Sequence, residues 1–272
     1  MPARPASPDG TLRLHRRFAA RVLGNQRDLV VWLPPGMDGR RRRHPVVYFQ
    51  DGQNLFDPLT AFLGQAWHAG RTAAELIRAG ELDAPIMVGI YNTGFARMDE
   101  YAPTRGEFAG WDGETCRSRG RARAYARFVA TEVKPFIDAR YPTRPGAADT
   151  AIAGSSMGGL VALYAALWHP RVFGAAGVMS PSAWWDDGAP MRFVEGLKKK
   201  PAVRLWLDTG TAEPGWENAR RLREALTARG WREGDDLHYL EVDGAEHNEA
   251  AWAARTGPML QWMVGSGGSG QG

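Results

Sequence analysis

Short apolar runs alternate with helical patterns along most of the chain, and this alternation constrains the fold more than any other feature. From Pro45 onward the order is strand, helix, strand, helix. Such an order predicts a mostly parallel sheet with helices on both faces. Continuously apolar strands such as "PVVYFQ" (45–50) suit a sheet that is covered on both sides. We therefore predict an α/β fold.

The predicted elements follow from apolar periodicity and from Gly and Pro positions. Two N-terminal strands, near 12–15 and 18–32, are expected to add antiparallel to one edge of the sheet. Pro135 is expected to kink the long helix that contains it. The remaining predicted strands are 28–34, 45–50, 85–91, 149–154, 172–180, 203–210 and 236–242, and the predicted helices are 68–79, 121–139, 156–169, 191–200, 217–229 and 249–264.

The domain organisation predicted from the sequence is simple. The chain has 272 residues, of which 44% are hydrophobic, and α/β folds of this length often form one domain. We predict one domain over 12–264, a loose lead-in over 1–11 and a flexible Gly/Ser tail over 265–272. No change of composition within 12–264 indicates a boundary.

Composition also bears on location. No apolar run approaches the 18 residues of a membrane helix, and the first residues lack the apolar core of a signal peptide. The single cysteine, Cys116, excludes an internal disulfide, so cytoplasmic residence is the simplest interpretation. Cys116 lies in a polar, loop-like stretch, which favours a non-catalytic thiol over a nucleophile.

The charge pattern does not indicate a nucleic-acid or membrane partner. The formal net charge is +4, and the basic run Arg40–Arg43 lies between two predicted strands. A modest charge excess without a nucleic-acid-binding motif favours a solvated surface loop.

A serine motif provides the main functional signal. Gly154-Ser155-Ser156-Met157-Gly158 matches G-x-S-x-G with Ser156 at its centre, whereas Ser155 does not fit the pattern. A predicted strand ends at the motif and a predicted helix starts within it, as a nucleophile elbow requires. We predict that Ser156 is a nucleophile and that the backbone N–H of Met157 faces the developing oxyanion. The alternative is a tight turn with a capping serine.

The order of the chain selects a base for Ser156. In a doubly wound hydrolase the order is serine, acid and histidine, with the histidine after the final strand. Of the six histidines only His247 lies in a polar loop between the last predicted strand and the last helix. The acid is expected near the carboxyl end of the preceding strand. Glu213 is favoured because its loop lets it reach back to the imidazole, and Asp208 is the alternative.

Five segments of the sequence carry a resemblance to a known family. The segments "YFQDGQNLFD", "VGIYNTGFARMDEYAP", "GSSMGGL", "SPSAWW" and "GAEHNEAAW" together are similar to the Putative esterase family of α/β-hydrolases, which includes enterochelin-esterase-like hydrolases. The resemblance runs over roughly 28–263. It implies an α/β-hydrolase fold and the catalytic residues Ser156, His247 and Glu213. It also implies that backbone N–H groups of Asp51, Gly52 or Gln53 complete the oxyanion hole.

The implied activity is hydrolysis of a carboxylic ester through an acyl-enzyme, without a metal or other cofactor. Expected substrates are small, aryl or siderophore-like esters. An acyltransferase on the same scaffold and a non-catalytic binding protein of the same fold are the alternatives. A monomer or a homodimer is expected. The predicted pocket residues lie in two loops: Trp184 and Trp185 in one, and Arg97, Glu100 and Tyr101 in the other. An Arg97–Glu100 ion pair is the alternative for the second loop.

Overall fold

An eight-stranded sheet organises the part of the chain that the computed structural model describes, which is residues 9–37, 42–109 and 115–265. The N-terminal residues 1–8, Arg40 and Arg41 of the basic run, and 266–272 of the predicted tail lie outside the described residues, as does the side chain of Cys116. The domain bounds inferred from the sequence stay a prediction.

The strands of the large sheet are β1 (Thr11–Ala20), β2 (Asn25–Leu33), β3 (Val46–Phe49), β4 (Ile86–Ile90), β7 (Thr150–Ser155), β8 (Ala175–Met179), β9 (Arg204–Gly210) and β10 (Leu237–Val242). Their spatial order is β1-β2-β4-β3-β7-β8-β9-β10. The first two strands pair antiparallel, and β2 pairs antiparallel with β4; every other pairing is parallel. The mostly parallel sheet and its antiparallel edge are therefore confirmed.

A small hairpin, β5 (Gly106–Ala109) with β6 (Thr115–Ser118), stands apart from the large sheet. The sequence analysis did not predict it, because neither strand has an apolar run. The helices are α1 (Ala69–Arg78), α2 (Arg97–Tyr101), α3 (Ala122–Phe128), α4 (Lys134–Arg140), α5 (Met157–Trp168), α6 (Trp185–Glu195), α7 (Glu217–Ala228) and α8 (Glu249–Val264).

Two predicted helices differ from the structure. The helix predicted over 121–139 is divided into α3 and α4 by a π-helical turn, Val129–Val133. Pro135 lies in the first turn of α4, directly after the π-helical turn that interrupts the α-helical hydrogen-bond ladder. The helix predicted over 191–200 instead begins at Trp185 and ends before Gly196. Its start escaped prediction because Asp186, Asp187 and Gly188 all have positive φ and no regular helical period.

The strands bury both of their faces. In β3, Val46 and Tyr48 belong to the apolar cluster that packs on α3, α5 and α7, whereas Val47 and Phe49 belong to the cluster under α1 and α8. Helices therefore cover both sides of the sheet, as predicted. Because the central strands are parallel, the loops at their carboxyl ends meet along one edge. No helix in the described residues combines the length and the apolar character needed to cross a bilayer.

One buried ion pair ties α2 to the sheet. The Nη2 of Arg27 on β2 lies 2.8 Å from Oε1 of Glu100, and both side chains are fully buried. Asn25 donates a second hydrogen bond to the same oxygen at 2.7 Å. The guanidinium also lies over the rings of Tyr125 and Phe128.

We expect Glu100→Gln to lower the free energy of unfolding by about 3–5 kcal/mol, because it leaves the charge of Arg27 buried without a counterion. Urea unfolding measures the loss. Glu107→Gln is the matched control, because its partner Arg117 is 82% exposed, and it should change stability by less than about 0.5 kcal/mol. Equal losses in the two variants would contradict this account of the pair.

Candidate active site

A strained turn presents Ser156 at the edge of the sheet. Ser156 lies between the end of β7 and the start of α5 with φ 57° and ψ −127°, a region that costs a non-glycine residue about 1–3 kcal/mol. Its N–H donates to the carbonyl oxygen of Met179 on β8 at 3.0 Å. A Cβ on Gly154 would lie 2.7 Å from the backbone of Gly158, and one on Gly159 would lie 2.8 Å from the oxygen of Met179. Close packing therefore requires these glycines.

The structure brings the three predicted catalytic side chains into one chain of hydrogen bonds. His247 Nε2 lies 3.0 Å from Ser156 Oγ. His247 Nδ1 lies 2.8 Å from Glu213 Oε2. His247 lies in the loop between β10 and α8, and Glu213 lies in the loop after β9. The imidazole also packs edge-on against Trp252, with ring centroids 4.9 Å apart.

Two further hydrogen bonds fix the other carboxylate oxygen of Glu213. Oε1 accepts hydrogen bonds from Ser180 Oγ at 2.5 Å and from the N–H of Gly210 at 2.8 Å. Burial on its own raises the pKa of Glu213, but hydrogen bonds from His247 and Ser180 outweigh it and hold the pKa below its ordinary value. Glu213 is therefore an ionised acceptor that fixes the imidazole with Nδ1–H facing the carboxylate.

Asp208, the alternative acid, lies beneath the site and makes no hydrogen bond to His247. Its carboxylate accepts from Trp206 Nε1 at 2.5 Å and from the N–H of Ser180 at 3.2 Å, and it pairs with Arg255. Complete burial raises its pKa to about 6, against the effect of Arg255. Because Glu213 and not Asp208 contacts the imidazole, the geometry favours Glu213 as the partner of His247.

The sequence analysis missed the residues that support this pair. Arg255 Nη2 donates to Ser180 Oγ at 2.8 Å and lies 3.5 Å from Glu213 Oε1. Trp252 Nε1 donates to the same hydroxyl at 3.0 Å. Trp252 and Arg255 are three residues apart on α8, so they share a helix face. That spacing, on the helix directly after His247, was the signal available in the sequence.

Two sets of backbone N–H groups are candidates for the oxyanion hole. The N–H of Met157, at the start of α5, makes no hydrogen bond within the described residues. The second set predicted from the sequence consists of the N–H groups of Asp51, Gly52 and Gln53. The N–H of Asp51 donates to the hydroxyl of Tyr101 at 3.3 Å, which removes Asp51 from the predicted donors. Gly52 and Gln53, whose N–H groups have no partner in the described residues, remain in a 3₁₀ turn, Gly52–Asn54.

Arg97 does not form the ion pair with Glu100 that was considered from the sequence. Its Nε and Nη2 each lie 2.8 Å from a carboxylate oxygen of Asp51. Asn92 donates to Asp51 Oδ1 at 2.7 Å. Asp51 has φ 53° and directly precedes the turn Gly52–Asn54, which is called the oxyanion turn below. The bidentate pair with Arg97 therefore holds the strained start of this turn.

Three predicted pocket residues are too deeply buried to line a pocket. Trp185 is fully buried, and its Nε1 donates to Thr104 Oγ1 at 3.1 Å. Tyr101 is buried beside Asp51, and Glu100 is bound to Arg27. Sequence periodicity could not show this burial, because α2 has only five residues and the first residues of α6 are irregular.

Trp184, in contrast, is 46% exposed and lines a small open pocket beside His247 and Glu213. Trp216 and Pro214 line the same pocket. Ser182 also reaches the site, since its Oγ lies 3.4 Å from Ser156 Oγ.

Exposed apolar side chains are a further feature of the sheet edge at which Ser156 lies. In the described residues, the large hydrophobic side chains exposed outside β1 all lie in loops at the carboxyl edge of the sheet, and they are Leu59, Phe62, Leu63, Phe95 and Trp184. Thr60 Oγ1 donates to the carbonyl oxygen of Gln53 at 2.7 Å, so the loop with Leu59 adjoins the oxyanion turn. These residues form an apolar rim that the sequence analysis did not predict, because they follow no helical or strand period.

Three comparisons relate the chain to known proteins. A family model described as "Putative esterase" matches residues 20–263. YjcH, an uncharacterized protein of Bacillus subtilis, is 30% identical over 271 residues, covering 95% of this chain and 100% of YjcH. The iron(III) enterobactin esterase of Escherichia coli is 31% identical over 143 residues, covering 50% of this chain and 34% of that protein.

The fold is similar to that of the Shigella flexneri enterobactin esterase solved in the presence of enterobactin. The TM-score is 0.74 at 20% identity, and the match covers 94% of this chain and 59% of that one. The predicted α/β-hydrolase fold is therefore confirmed. In the described residues, no three His, Cys, Asp or Glu side chains are close enough together to hold a metal ion.

The low pKa of Glu213 gives a pH dependence with a defined sign. A carboxyl whose pKa is lower in the folded state stabilises the fold above its unfolded pKa of about 4.5, and that contribution is lost as the pH falls through the folded pKa. We expect the stability advantage of the wild type over Glu213→Gln to shrink as the pH falls from about 5 through the folded pKa.

Chemical denaturation across this pH range measures the difference. Glu217→Gln, at an exposed position four residues away, is the control and should show no such trend. An advantage that grows as the pH falls would contradict the assignment.

Proposed function

Because the chain belongs to the Putative esterase family, we propose that it hydrolyses carboxylic esters, with Ser156 as nucleophile, His247 as general base and Glu213 as the orienting acid. The observation that carries this proposal is the continuous set of contacts from Ser156 Oγ through the imidazole to Glu213. An ordered serine, base and acid at a strained elbow is the arrangement that acyl transfer requires.

The first chemical step forms the acyl-enzyme. His247 Nε2 removes the proton from Ser156 as Oγ attacks the ester carbonyl carbon. The imidazolium that forms is stabilised by Glu213, whose pKa is low enough to keep it ionised. His247 then gives the proton to the leaving alcohol as the C–O bond breaks.

The carbonyl oxygen gains negative charge in this step. The N–H of Met157 and that of Gly52 or Gln53 would stabilise that charge, each by about 3 kcal/mol in comparable sites. The helix dipole of α5 adds to the effect because its N-terminus lies at Ser156. Water then attacks the acyl-enzyme with His247 again as base, and the acid is released.

The surroundings of Ser156 favour an ester with an apolar or aromatic group. The pocket beside His247 carries Trp184 and Trp216, and the other residues of the apolar rim lie in loops at the same edge of the sheet. The Escherichia coli and Shigella flexneri relatives are named enterobactin esterases, which is compatible with an aromatic ester here. This chain spans about a third of the length of the Escherichia coli protein, so that substrate is not transferred to it.

Acyl transfer to another alcohol uses the same acyl-enzyme and is the second candidate function. The exposed Trp184 favours it, because an apolar acceptor alcohol can pack against this side chain in place of water. A small-molecule ester as partner, a cytoplasmic location and a monomeric or dimeric state stay predictions.

Ser155 and Ser156 provide a matched pair for testing the nucleophile. We expect Ser156→Ala to lower kcat/KM for an aryl ester roughly 10⁴- to 10⁶-fold and to abolish labelling by a fluorophosphonate. Ser155→Ala, one residue away and buried in β7, should keep both the activity and the label. Labelling that survives in Ser156→Ala would rule out the proposed nucleophile.

A second pair separates the two candidate acids. Glu213→Gln should lower kcat about 10²- to 10⁴-fold, because the amide no longer selects the productive imidazole tautomer. Asp208→Asn should lower it less than about tenfold, since Asp208 does not contact His247. Steady-state kinetics on one aryl ester decides between them, and a larger loss in Asp208→Asn would reverse the assignment.

A further inference from the structure

Glu249 is a buried carboxyl that the proposed reaction does not use. It is the first residue of α8, two positions after His247, and only 8% of it is exposed. Its Oε1 accepts a hydrogen bond from Asn54 Nδ2 at 3.1 Å. Its Oε2 accepts from Trp67 Nε1. Neither oxygen contacts Ser156, His247 or Glu213.

Asn54 connects this carboxyl to the oxyanion turn. It is the last residue of the turn Gly52–Asn54, which supplies the candidate donors opposite Met157. The Oδ1 of Asn54 accepts from the N–H of Phe62 at 3.0 Å, and its carbonyl oxygen accepts from the N–H of Trp67 at 2.8 Å. Both ends of the Asn54 side-chain amide are therefore engaged, and the amide has one orientation.

The other end of the connection is the helix that carries the base loop. Asn248 caps α8 by accepting from the N–H of Ala251 at 2.9 Å. One turn later Trp252 packs edge-on against the imidazole of His247 and also lies beside Trp67, with ring centroids 6.2 Å apart. A displacement of Glu249 would therefore change the position of His247 relative to the oxyanion turn.

We propose that Glu249, with Asn54 and Trp67, forms a strut that sets the position of the oxyanion turn relative to His247. Glu249 is thus a positioning residue for the proposed ester hydrolysis, and the inference rests on that proposed function. The two donors that converge on the carboxyl, both from buried residues, are what fix the geometry.

A carboxyl is costly at this position, which argues that its placement matters. Burial raises the pKa of Glu249 to about 7, against the hydrogen bond from Trp67, and the charge of Asp51 raises it further. The charge of Arg97 lowers the pKa of Glu249, but to a smaller extent, because the guanidinium is bound to Asp51. A residue that only filled space here would not need an ionisable group.

The test compares Glu249→Gln with Glu246→Gln, a substitution of the same kind three residues earlier. Glu246 is exposed and contacts Asn248. The ionised carboxylate of Glu249, which predominates above about pH 7, accepts from both N–H donors, whereas in Glu249→Gln an amide NH₂ must face one of them. All variants are therefore assayed at about pH 8.5. We expect kcat for an aryl ester to fall roughly 10- to 100-fold with KM within about threefold. Glu246→Gln should match the wild type.

Affinity for benzeneboronic acid provides the readout specific to the oxyanion turn. The boronate forms a tetrahedral adduct with the serine and places an oxygen where the oxyanion would lie. In Glu249→Gln its affinity should fall by about the same factor as kcat. Thermal unfolding of each variant reports whether the fold is retained.

A reciprocal exchange tests the contact itself. Asn54→Asp alone places two carboxyls face to face and should be at least as impaired as Glu249→Gln. In the double variant Asn54→Asp/Glu249→Gln the introduced amide donates to the introduced carboxylate, which reverses the hydrogen bond and restores it. We expect kcat to recover at least about tenfold over Glu249→Gln.

Three results would overturn the inference: unchanged kcat and boronate affinity in Glu249→Gln, a loss of activity that only follows the loss of folded protein, or a folded double variant no better than the single ones. Failure of the proposed function is distinguishable, because then the wild type itself would neither hydrolyse the ester nor react with a fluorophosphonate at Ser156.

Discussion

The backbone of Ser156 is the constraint on which the rest of the site depends. A φ of 57° at a non-glycine residue persists only where its surroundings hold it. Here β7 lies in the middle of a parallel sheet, the N–H of Ser156 is bound to β8, and Gly154 and Gly159 allow neighbouring backbone to approach within contact distance. This backbone conformation presents the hydroxyl at the carboxyl edge of the sheet, next to the N-terminus of α5.

Several supports of the site come from α8 and the loop before it. The loop before this helix provides His247, and one face of the helix provides three supports at three-residue spacing, Glu249, Trp252 and Arg255. Glu249 reaches the oxyanion turn, Trp252 packs on the imidazole, and Arg255 reaches the carboxylates below. Helix α8 therefore positions His247 relative to Glu213 and to the oxyanion turn.

The sequence predicted the residues with a fixed place in the topology, and it failed where side-chain direction decides. Ser156 and His247 follow from chain order at the ends of parallel strands, whereas Glu213 was favoured over Asp208 by its loop and by the family resemblance. The structure brings the three together. The inward burial of Trp185 and Tyr101 depends on where they lie in the irregular first turn of α6 and at the end of the five-residue helix α2. Arg97 pairs with Asp51 from the first residue of α2. Periodicity carries no information there. The apolar rim escaped for the same reason.

The most direct test of the account is product partitioning between water and methanol. Acetate esters with several different leaving alcohols should all give the same ratio of methyl acetate to acetate, because each passes through one acetyl-enzyme at Ser156 after its alcohol has left. A ratio that changes with the leaving alcohol would show that water attacks the ester directly, and it would contradict the covalent serine mechanism on which this account rests.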